Sequence, residues 1–139
     1  MPFGITMGDA SGVGPEILLR AYHANLLAND VFAYGDAAIL AAGAELLDLD
    51  ISLNVIQQPS ELIPDTLNVL DLDCLTSADL TPGKVNRKAG AAARNYVLRA
   101  TADALAGKIR AIVTLPMNKE ATRLSDPTFC GHTELIAAA

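Results

Sequence analysis

An α/β fold with a largely parallel sheet is predicted from three features of this 139-residue sequence. Short apolar runs alternate with longer segments of helical periodicity, which is the pattern of repeated β-α-β units. Hydrophobic residues make up 51% of the chain, enough at this length to bury a core without a metal or a disulfide. Only 4% are aromatic and alanine is the most frequent residue, so we expect closely packed helices and strands. No repeat or linker divides the chain, and we treat 1–139 as one unit without an internal boundary.

The first unit is a buried strand followed by a helix. The apolar run 3–7 predicts the strand, and a glycine-rich turn follows it. Pro15 suits the first turn of a helix, and Glu16 complements the positive end of the helix dipole. Apolar residues keep helical spacing as far as Ala28.

The middle of the chain predicts three further strands and one helix. Strands are expected over 31–34, 51–56 and 67–72, the second of them half-exposed because apolar and polar residues alternate. Asp36 is placed to cap a helix that runs to about Leu47. The stretch from 73 to 84 is expected to be irregular.

The clearest helix covers 87–106. One stripe of it is apolar, and we predict that this stripe is buried: Ala89, Ala93, Tyr96, Val97, Ala100 and Ala104. Polar residues lie largely off the stripe, among them Arg94, Asn95, Arg99 and Asp103. A strand is then expected over 109–115, and a short helical turn opens at 118–120.

Charge and composition exclude several classes of function. A net charge of −6 without a basic cluster argues against nucleic-acid binding. Apolar runs are far shorter than the about 20 residues that span a bilayer, and no leader peptide is visible, so we expect no membrane contact and a cytoplasmic location. Cys74 and Cys130 form no CxxC pair and are expected to be free thiols. The last residues, 134–139, are helix-forming, and natural domains rarely end inside such a run.

Glycines dominate the first candidate site, the loop after the first strand. Gly8, Gly12 and Gly14 are spaced G-x3-G-x-G, followed by Pro-Glu, and Asp9 lies among them. This spacing matches neither the Rossmann fingerprint nor the phosphate-binding P-loop. Two interpretations remain open: a tight strand-to-helix turn, or a loop that lets a ligand approach the backbone.

Two more candidate segments follow the strand at 109–115. Lys119 could neutralise a carboxylate or phosphate, or polarise a reacting oxygen, but it could equally be a solvated surface lysine. His132 and Thr133 follow Gly131 and could both face a polar substrate, although an isolated histidine often has a structural role. No serine-hydrolase elbow is present, and the two histidines and scattered acids form no compact set of metal ligands.

Four segments in this order resemble the N-terminal part of the 4-hydroxythreonine-4-phosphate dehydrogenase (PdxA) family. They are residues 5–16, the helix with Ala89-Gly90 and Tyr96, residues 113–119, and residues 131–134. The resemblance runs through nearly the whole chain but covers less than half of a typical member.

The resemblance implies a fold like that of isocitrate and isopropylmalate dehydrogenases and a homodimer with its active site in a cleft. It implies NAD-dependent oxidation of the secondary alcohol of 4-hydroxythreonine 4-phosphate, with loss of CO₂ from the β-keto acid, on the route to pyridoxal phosphate. A divalent metal would polarise the reacting oxygen. His132 and Thr133 match the substrate-binding pair, Lys119 matches a lysine of the active site, and the glycine loop with Gly8, Asp9, Gly12 and Gly14 is expected to line the cleft.

Two departures qualify this expectation. Ala10-Ser11 stands where many members carry Pro-Ala, which leaves open a paralogue that oxidises threonate or erythronate 4-phosphate or an aromatic cis-dihydrodiol. The family's three metal-binding histidines lie downstream of this sequence, so we expect no metal ligand in this chain and no turnover by it alone. A non-catalytic module that binds a phosphorylated small molecule, and a fragment with a merely structural role, remain as alternatives.

Overall fold

Five parallel strands form one sheet in the computed structural model, which describes all residues from 1 to 139. The order across the sheet is β3-β4-β2-β1-β5. The strands are β1 (Phe3–Thr6), β2 (Val31–Gly35), β3 (Leu53–Ile56), β4 (Leu67–Asp71) and β5 (Ala111–Thr114). Every neighbouring pair is parallel, which confirms the predicted α/β class.

Five helices and one short 3₁₀ turn connect or follow the strands. They are α1 (Gly14–His23), α2 (Ala37–Leu46), the 3₁₀ turn Ser77–Asp79, α3 (Arg87–Leu105), α4 (Lys119–Arg123) and α5 (His132–Ala138). The first helix is shorter than predicted, because Asn25 has a φ of 57° and cannot continue it. The stretch predicted to be irregular contains the 3₁₀ turn.

The chain moves across the sheet in two opposite directions and turns back at the edge strand β3. From β1 the chain moves to β2 and on toward β3, whereas the connection from β4 through α3 crosses to β5 on the other side of β1. Right-handed crossovers therefore place α1 and α2 on one face of the sheet and α3 on the other. The carboxyl ends of β1 and β5 form the switch point, where open α/β sheets bind ligands.

Helix α3 buries its alanine stripe against the sheet, as predicted, but a charged residue is buried with it. Asp103 is only 3% exposed, although the sequence places it off the apolar stripe. Its carboxylate accepts a hydrogen bond from the Tyr34 hydroxyl at 2.9 Å and pairs with Arg99 Nε at 3.1 Å. Lys108 Nζ lies 3.5 Å from its other oxygen. These partners compensate the desolvation of the carboxylate, which explains its position.

Asp36 precedes α2 as predicted, but its side chain does not cap that helix. Its Oδ1 accepts hydrogen bonds from the backbone N–H groups of Cys74, at 2.7 Å, and Leu75, at 3.1 Å. Its Oδ2 accepts from the buried Tyr96 hydroxyl of α3. Burial raises the pKa of the Asp36 carboxyl, against the opposing effect of these three donors. One carboxylate thus joins the end of β2, the loop after β4 and α3.

None of the helices combines the length and the apolar character that a membrane span requires.

Replacing this carboxylate tests its structural role. Asp36→Ala leaves the Tyr96 hydroxyl and two amides without an acceptor, so we expect the free energy of unfolding to fall by about 3 kcal/mol or more. Asp36→Asn keeps an acceptor and should lose less. Exposed Asp50 has no hydrogen bond, and Asp50→Ala should change stability by less than about 0.5 kcal/mol. Urea unfolding of the three variants measures this, and an equal effect of Asp36→Ala and Asp50→Ala would contradict it.

Candidate functional site

The loops that leave β1 and β5 touch each other through their backbones. Gly8 has a φ of 76°, and a Cβ atom on it would overlap the carbonyl oxygen of Pro116. The Asp9 backbone N–H donates a hydrogen bond to that same oxygen at 3.0 Å. Only glycine satisfies both the left-handed backbone and this close approach. The glycine loop is therefore fixed directly against the exit of β5.

The other two glycines of the loop differ in their surroundings. A Cβ atom on Gly14 would overlap the Met7 carbonyl oxygen where α1 begins, so the tight turn accounts for this position as it does for Gly8. Gly12 is exposed, and a Cβ atom there would lie at an ordinary 3.5 Å from the Asp9 carbonyl oxygen. Packing alone does not require glycine at 12, so the interpretation as a ligand loop stays a prediction there.

Asp9 is a buried carboxylate with one oxygen left free. It is 2% exposed, and its Oδ1 accepts a hydrogen bond from the Ser11 backbone N–H at 2.8 Å. Oδ2 has no protein partner. Burial raises the pKa of this carboxyl, against the N–H groups of Ser11 and Gly12, which lower it. The Ser11 hydroxyl is hydrogen bonded to Thr81 Oγ1 at 2.9 Å, which ties the glycine loop to the chain before α3.

Lys119 is the first residue of α4, and it lies beside the third candidate segment. The side chain of Asn118 accepts a hydrogen bond from the Ala121 backbone N–H at 3.0 Å and caps this helix. The exposed Lys119 side chain then extends toward Gly131, with Nζ 4.0 Å from the position that a Cβ on Gly131 would occupy. The fold thus brings Lys119 next to the segment that carries His132.

His132 begins α5 and is half-buried against the exit of β5. Its pKa is lowered below the ordinary value because burial disfavours the imidazolium, while the Leu115 backbone carbonyl has a smaller opposing effect. Its Nε2 is buried without a hydrogen-bond partner. Thr133 is exposed, directly after it in α5. Near neutral pH the neutral imidazole therefore offers a free ring nitrogen.

All buried side-chain nitrogen and oxygen atoms without a partner lie at this one edge of the sheet. They are Thr6 Oγ1, Asp9 Oδ2 and His132 Nε2. Thr6 ends β1, and its carbonyl accepts from the Leu115 N–H at 3.2 Å. Buried polar atoms are nearly always paired, so we expect these three atoms to find partners outside this chain, such as a polar ligand. The sequence analysis missed Thr6, although a hydroxyl in an otherwise apolar strand is a usable signal.

The carboxylate and imidazole of this edge do not form a metal centre within this chain. No group of three or more histidine, cysteine, aspartate or glutamate side chains is close enough to hold an ion. Two isolated donors do not satisfy the coordination of a divalent cation. The residues of this chain therefore do not fit the divalent metal that the resemblance implies.

The fold defines an α/β protein whose parallel sheet carries three unpaired buried polar atoms at its carboxyl edge. A family model described as pyridoxal phosphate biosynthetic protein PdxA matches residues 27–139. The chain belongs to the PdxA family.

Relatives with known names and structures agree with this assignment. A D-threonate 4-phosphate dehydrogenase from Cupriavidus necator is 38% identical over 138 residues, which cover 96% of this chain and 41% of the relative. The crystal structure of a 4-hydroxythreonine-4-phosphate dehydrogenase from Klebsiella pneumoniae matches with a TM-score of 0.91 and 38% identity, over 99% of this chain and 43% of that one. This chain thus spans about two fifths of the length of these relatives.

A more distant structure shares the same fold. It is a terephthalate 1,2-cis-dihydrodiol dehydrogenase from Burkholderia xenovorans, with a TM-score of 0.69 and 26% identity over 88% of this chain and 36% of that one.

Two glycines of one loop provide a matched test of the contact between the β1 and β5 exits. Gly8→Ala forces a side chain into a left-handed backbone and against the Pro116 carbonyl, so we expect a loss of about 2 kcal/mol or more in the free energy of unfolding. Gly12→Ala meets neither obstacle and should stay within about 0.5 kcal/mol of the wild type. Chemical unfolding measures the free energy of unfolding of both variants. Equal losses in Gly8→Ala and Gly12→Ala would disprove the contact.

The lowered pKa of His132 predicts a pH dependence of stability. Because the unfolded state binds the proton more readily than the folded state, stability is complete above the ordinary histidine pKa of about 6.5 and falls as the pH drops below it, until the folded imidazole also protonates. Unfolding free energies between pH 7.5 and 5 should fall more steeply in the wild type than in His132→Asn. Parallel curves for the two proteins would contradict the assignment.

Proposed function

We propose that this chain provides substrate-binding residues of an NAD-dependent, metal-dependent dehydrogenase that oxidises the secondary alcohol of a small phosphorylated hydroxy acid. 4-Hydroxythreonine 4-phosphate is the first candidate substrate. The observation that carries the proposal is the position of Lys119 beside Gly131, the residue that precedes His132 with its unpaired Nε2. Membership of the PdxA family and the names of the dehydrogenase relatives support it.

Each residue of this edge has a distinct proposed role. The Lys119 ammonium group attracts an anionic group of the substrate, and as a catalytic residue it stabilises negative charge that develops during the reaction. Because its pKa is lowered, His132 is neutral near pH 7, and it hydrogen bonds through Nε2 to a substrate hydroxyl. Thr133 adds an exposed hydroxyl next to it. The buried Asp9 carboxylate shapes the loop that lines the cleft.

The proposed reaction is an oxidation followed by loss of CO₂. NAD would supply the acceptor for the hydride of the carbinol carbon as the hydroxyl proton leaves. The resulting β-keto acid would then lose its carboxylate as CO₂, and the enolate left behind would take up a proton. Since this chain holds no ligand set for a cation, we place the metal ligands outside it and assign no step of the reaction to a metal. The expectation that the chain alone does not turn over substrate follows from this placement.

The name of the Cupriavidus relative favours a second candidate substrate, D-threonate 4-phosphate. This substrate shares the phosphate and the hydroxy-acid portion, so the same roles for Lys119 and His132 apply. The glycine loop of this chain differs from that of many family members, which carry Pro-Ala in place of Ala10-Ser11. The Ser11 hydroxyl is hydrogen bonded to Thr81 Oγ1. A homodimer and a cytoplasmic location belong to the same proposal and are supported by the family resemblance.

The test of the proposed function uses two proteins. The first is the 139-residue chain, titrated with each phosphorylated acid by NMR; signals of Lys119, His132 and Thr133 should shift. The second is a hybrid in which this chain replaces the corresponding part of the Klebsiella enzyme; it should form NADH from one of the two acids, and a chelator should abolish this. A folded hybrid without NADH formation would overturn the dehydrogenase proposal. Tight binding by the chain without metal or NAD, together with an inactive hybrid, would instead identify a binding module.

Charge and hydrogen-bonding variants test the individual roles. In the hybrid, Lys119→Met should lower kcat by about 100-fold, because it removes a charge that faces the developing oxyanion. His132→Ala should raise KM by about tenfold, the effect of losing one hydrogen bond to the substrate. The surface variant Lys84→Met is the control and should leave both constants unchanged. Steady-state kinetics measure all three, and wild-type constants for Lys119→Met or His132→Ala would remove that residue from the site.

A further inference from the structure

We infer that Gly90, buried in the first turn of α3, is a positioning residue for Lys119. This inference rests on the proposed function, in which Lys119 contacts the substrate. Gly90 contacts the backbone of the helix that begins with Lys119, and through that contact it sets where the ammonium group lies.

The contact between α3 and α4 is one of backbone against backbone. A Cβ atom on Gly90 would overlap the carbonyl carbon of Ala121, and it would lie 2.5 Å from both the Ala121 oxygen and the Thr122 nitrogen. Ala121 and Thr122 are completely buried. Because the obstructing atoms belong to the backbone, no rotation of a side chain can make room for a methyl group. An added methyl group must move α4 as a body.

Helix α4 is tied to α3 at further points, so such a movement has a defined result. The Thr122 hydroxyl lies 3.5 Å from the Gly90 carbonyl oxygen and 2.9 Å from that of Asn118. Arg94 of α3 donates to Asp126, just after α4, at 2.8 Å. With the carboxyl end held by this ion pair, a displacement at Ala121 is transmitted to the amino end of the five-residue helix, where Lys119 lies.

The segment that follows α4 has a contact of its own near the end of β5, where His132 lies against Leu115. Phe129 is buried two residues before Gly131, and its carbonyl oxygen accepts a hydrogen bond from Arg123 Nε of α4 at 2.7 Å, so this bond couples Phe129 to α4. Because the Leu115 contact holds His132 and not Lys119, we expect a shift of α4 to change the separation between Lys119 and His132. A displacement of about 1 Å in an active site can cost about 100-fold in rate.

Gly43 of α2 provides a matched control. It is also a buried glycine within a helix, but a Cβ atom there would meet only the terminal Leu19 Cδ1 atom, at 3.1 Å. A leucine methyl can give way, and α2 is remote from α4. Gly43→Ala thus reproduces the change in chemical composition and in helix propensity without a displacement of α4.

The experiment measures both position and binding in the 139-residue chain. The Lys119 Cε atom lies 3.9 Å from the Cβ position of Gly131, so the nuclear Overhauser effect (NOE) between the Lys119 Hε and Gly131 Hα protons should be strong in the wild type. It should be lost in Gly90→Ala and kept in Gly43→Ala. The Kd for the phosphorylated acid that binds should rise about tenfold in Gly90→Ala and less than twofold in Gly43→Ala.

A double-variant cycle separates positioning from general damage. In a Lys119→Met background, Gly90→Ala should raise Kd less than twofold, because the residue through which it acts is gone. A tenfold rise in that background, or an unchanged NOE in Gly90→Ala, overturns the inference. Failure of the wild-type chain to bind either acid would count against the proposed function, and the NOE would still decide the role of Gly90.

A second pair of variants covers the case in which Gly90→Ala does not fold. Thr122→Val removes the hydroxyl that contacts the Gly90 and Asn118 carbonyls but keeps the volume of the side chain. The same NOE should weaken in Thr122→Val and persist in Thr122→Ser, which keeps the hydroxyl. An equal NOE in both variants contradicts the inference.

Discussion

The backbone contact between the loops that leave β1 and β5 determines the rest of the candidate site. Parallel pairing sets Thr6 opposite Thr114, so both strands end at the same level. The loops that follow these two strands leave toward opposite faces of the sheet. They remain in contact because Gly8 has no side chain and the Asp9 backbone N–H donates to the Pro116 carbonyl oxygen. With the first loop fixed there, Asp9 is buried, α1 begins at Gly14, and the exit of β5 carries Lys119 alongside. A larger residue at position 8 would separate these loops, and with them the residues of the site.

Periodicity predicted the elements well because it reports directly on burial. The helix expected over 87–106 is observed as Arg87–Leu105, and the strand expected over 109–115 as Ala111–Thr114. Strand order is a different kind of information, since it depends on which crossovers reverse direction. That the exits of β1 and β5 meet could therefore not be derived from either segment alone. For the same reason the sequence left the glycine loop divided between two interpretations, and the contacts at Gly8 and Gly14 resolve only those two positions.

Two aspartates show where local reasoning fails. Asp36 has the position and the residue type of a helix cap, but its oxygens bind donors from the loop after β4 and from α3, both distant in sequence. Asp103 has the helical phase of a surface residue, but it is buried by a tyrosine from β2 and two basic neighbours. In each case a tertiary partner outweighs the local preference. Gly90 is a similar case, because glycine is required there only by the close approach of the α4 backbone, which is a tertiary contact.

The three unpaired polar atoms give an energetic reason to expect a ligand at this edge. Each buried donor or acceptor without a partner costs about 1–3 kcal/mol, so Thr6, Asp9 and His132 together cost about 3–9 kcal/mol. The whole net stability of a domain is about 5–15 kcal/mol. The protein can tolerate this free-energy cost if the unpaired atoms gain hydrogen-bond partners when a ligand binds. A small molecule with several oxygen atoms can supply such partners. A purely apolar ligand would leave this cost in place, so we expect any ligand that binds at this edge to carry several polar atoms.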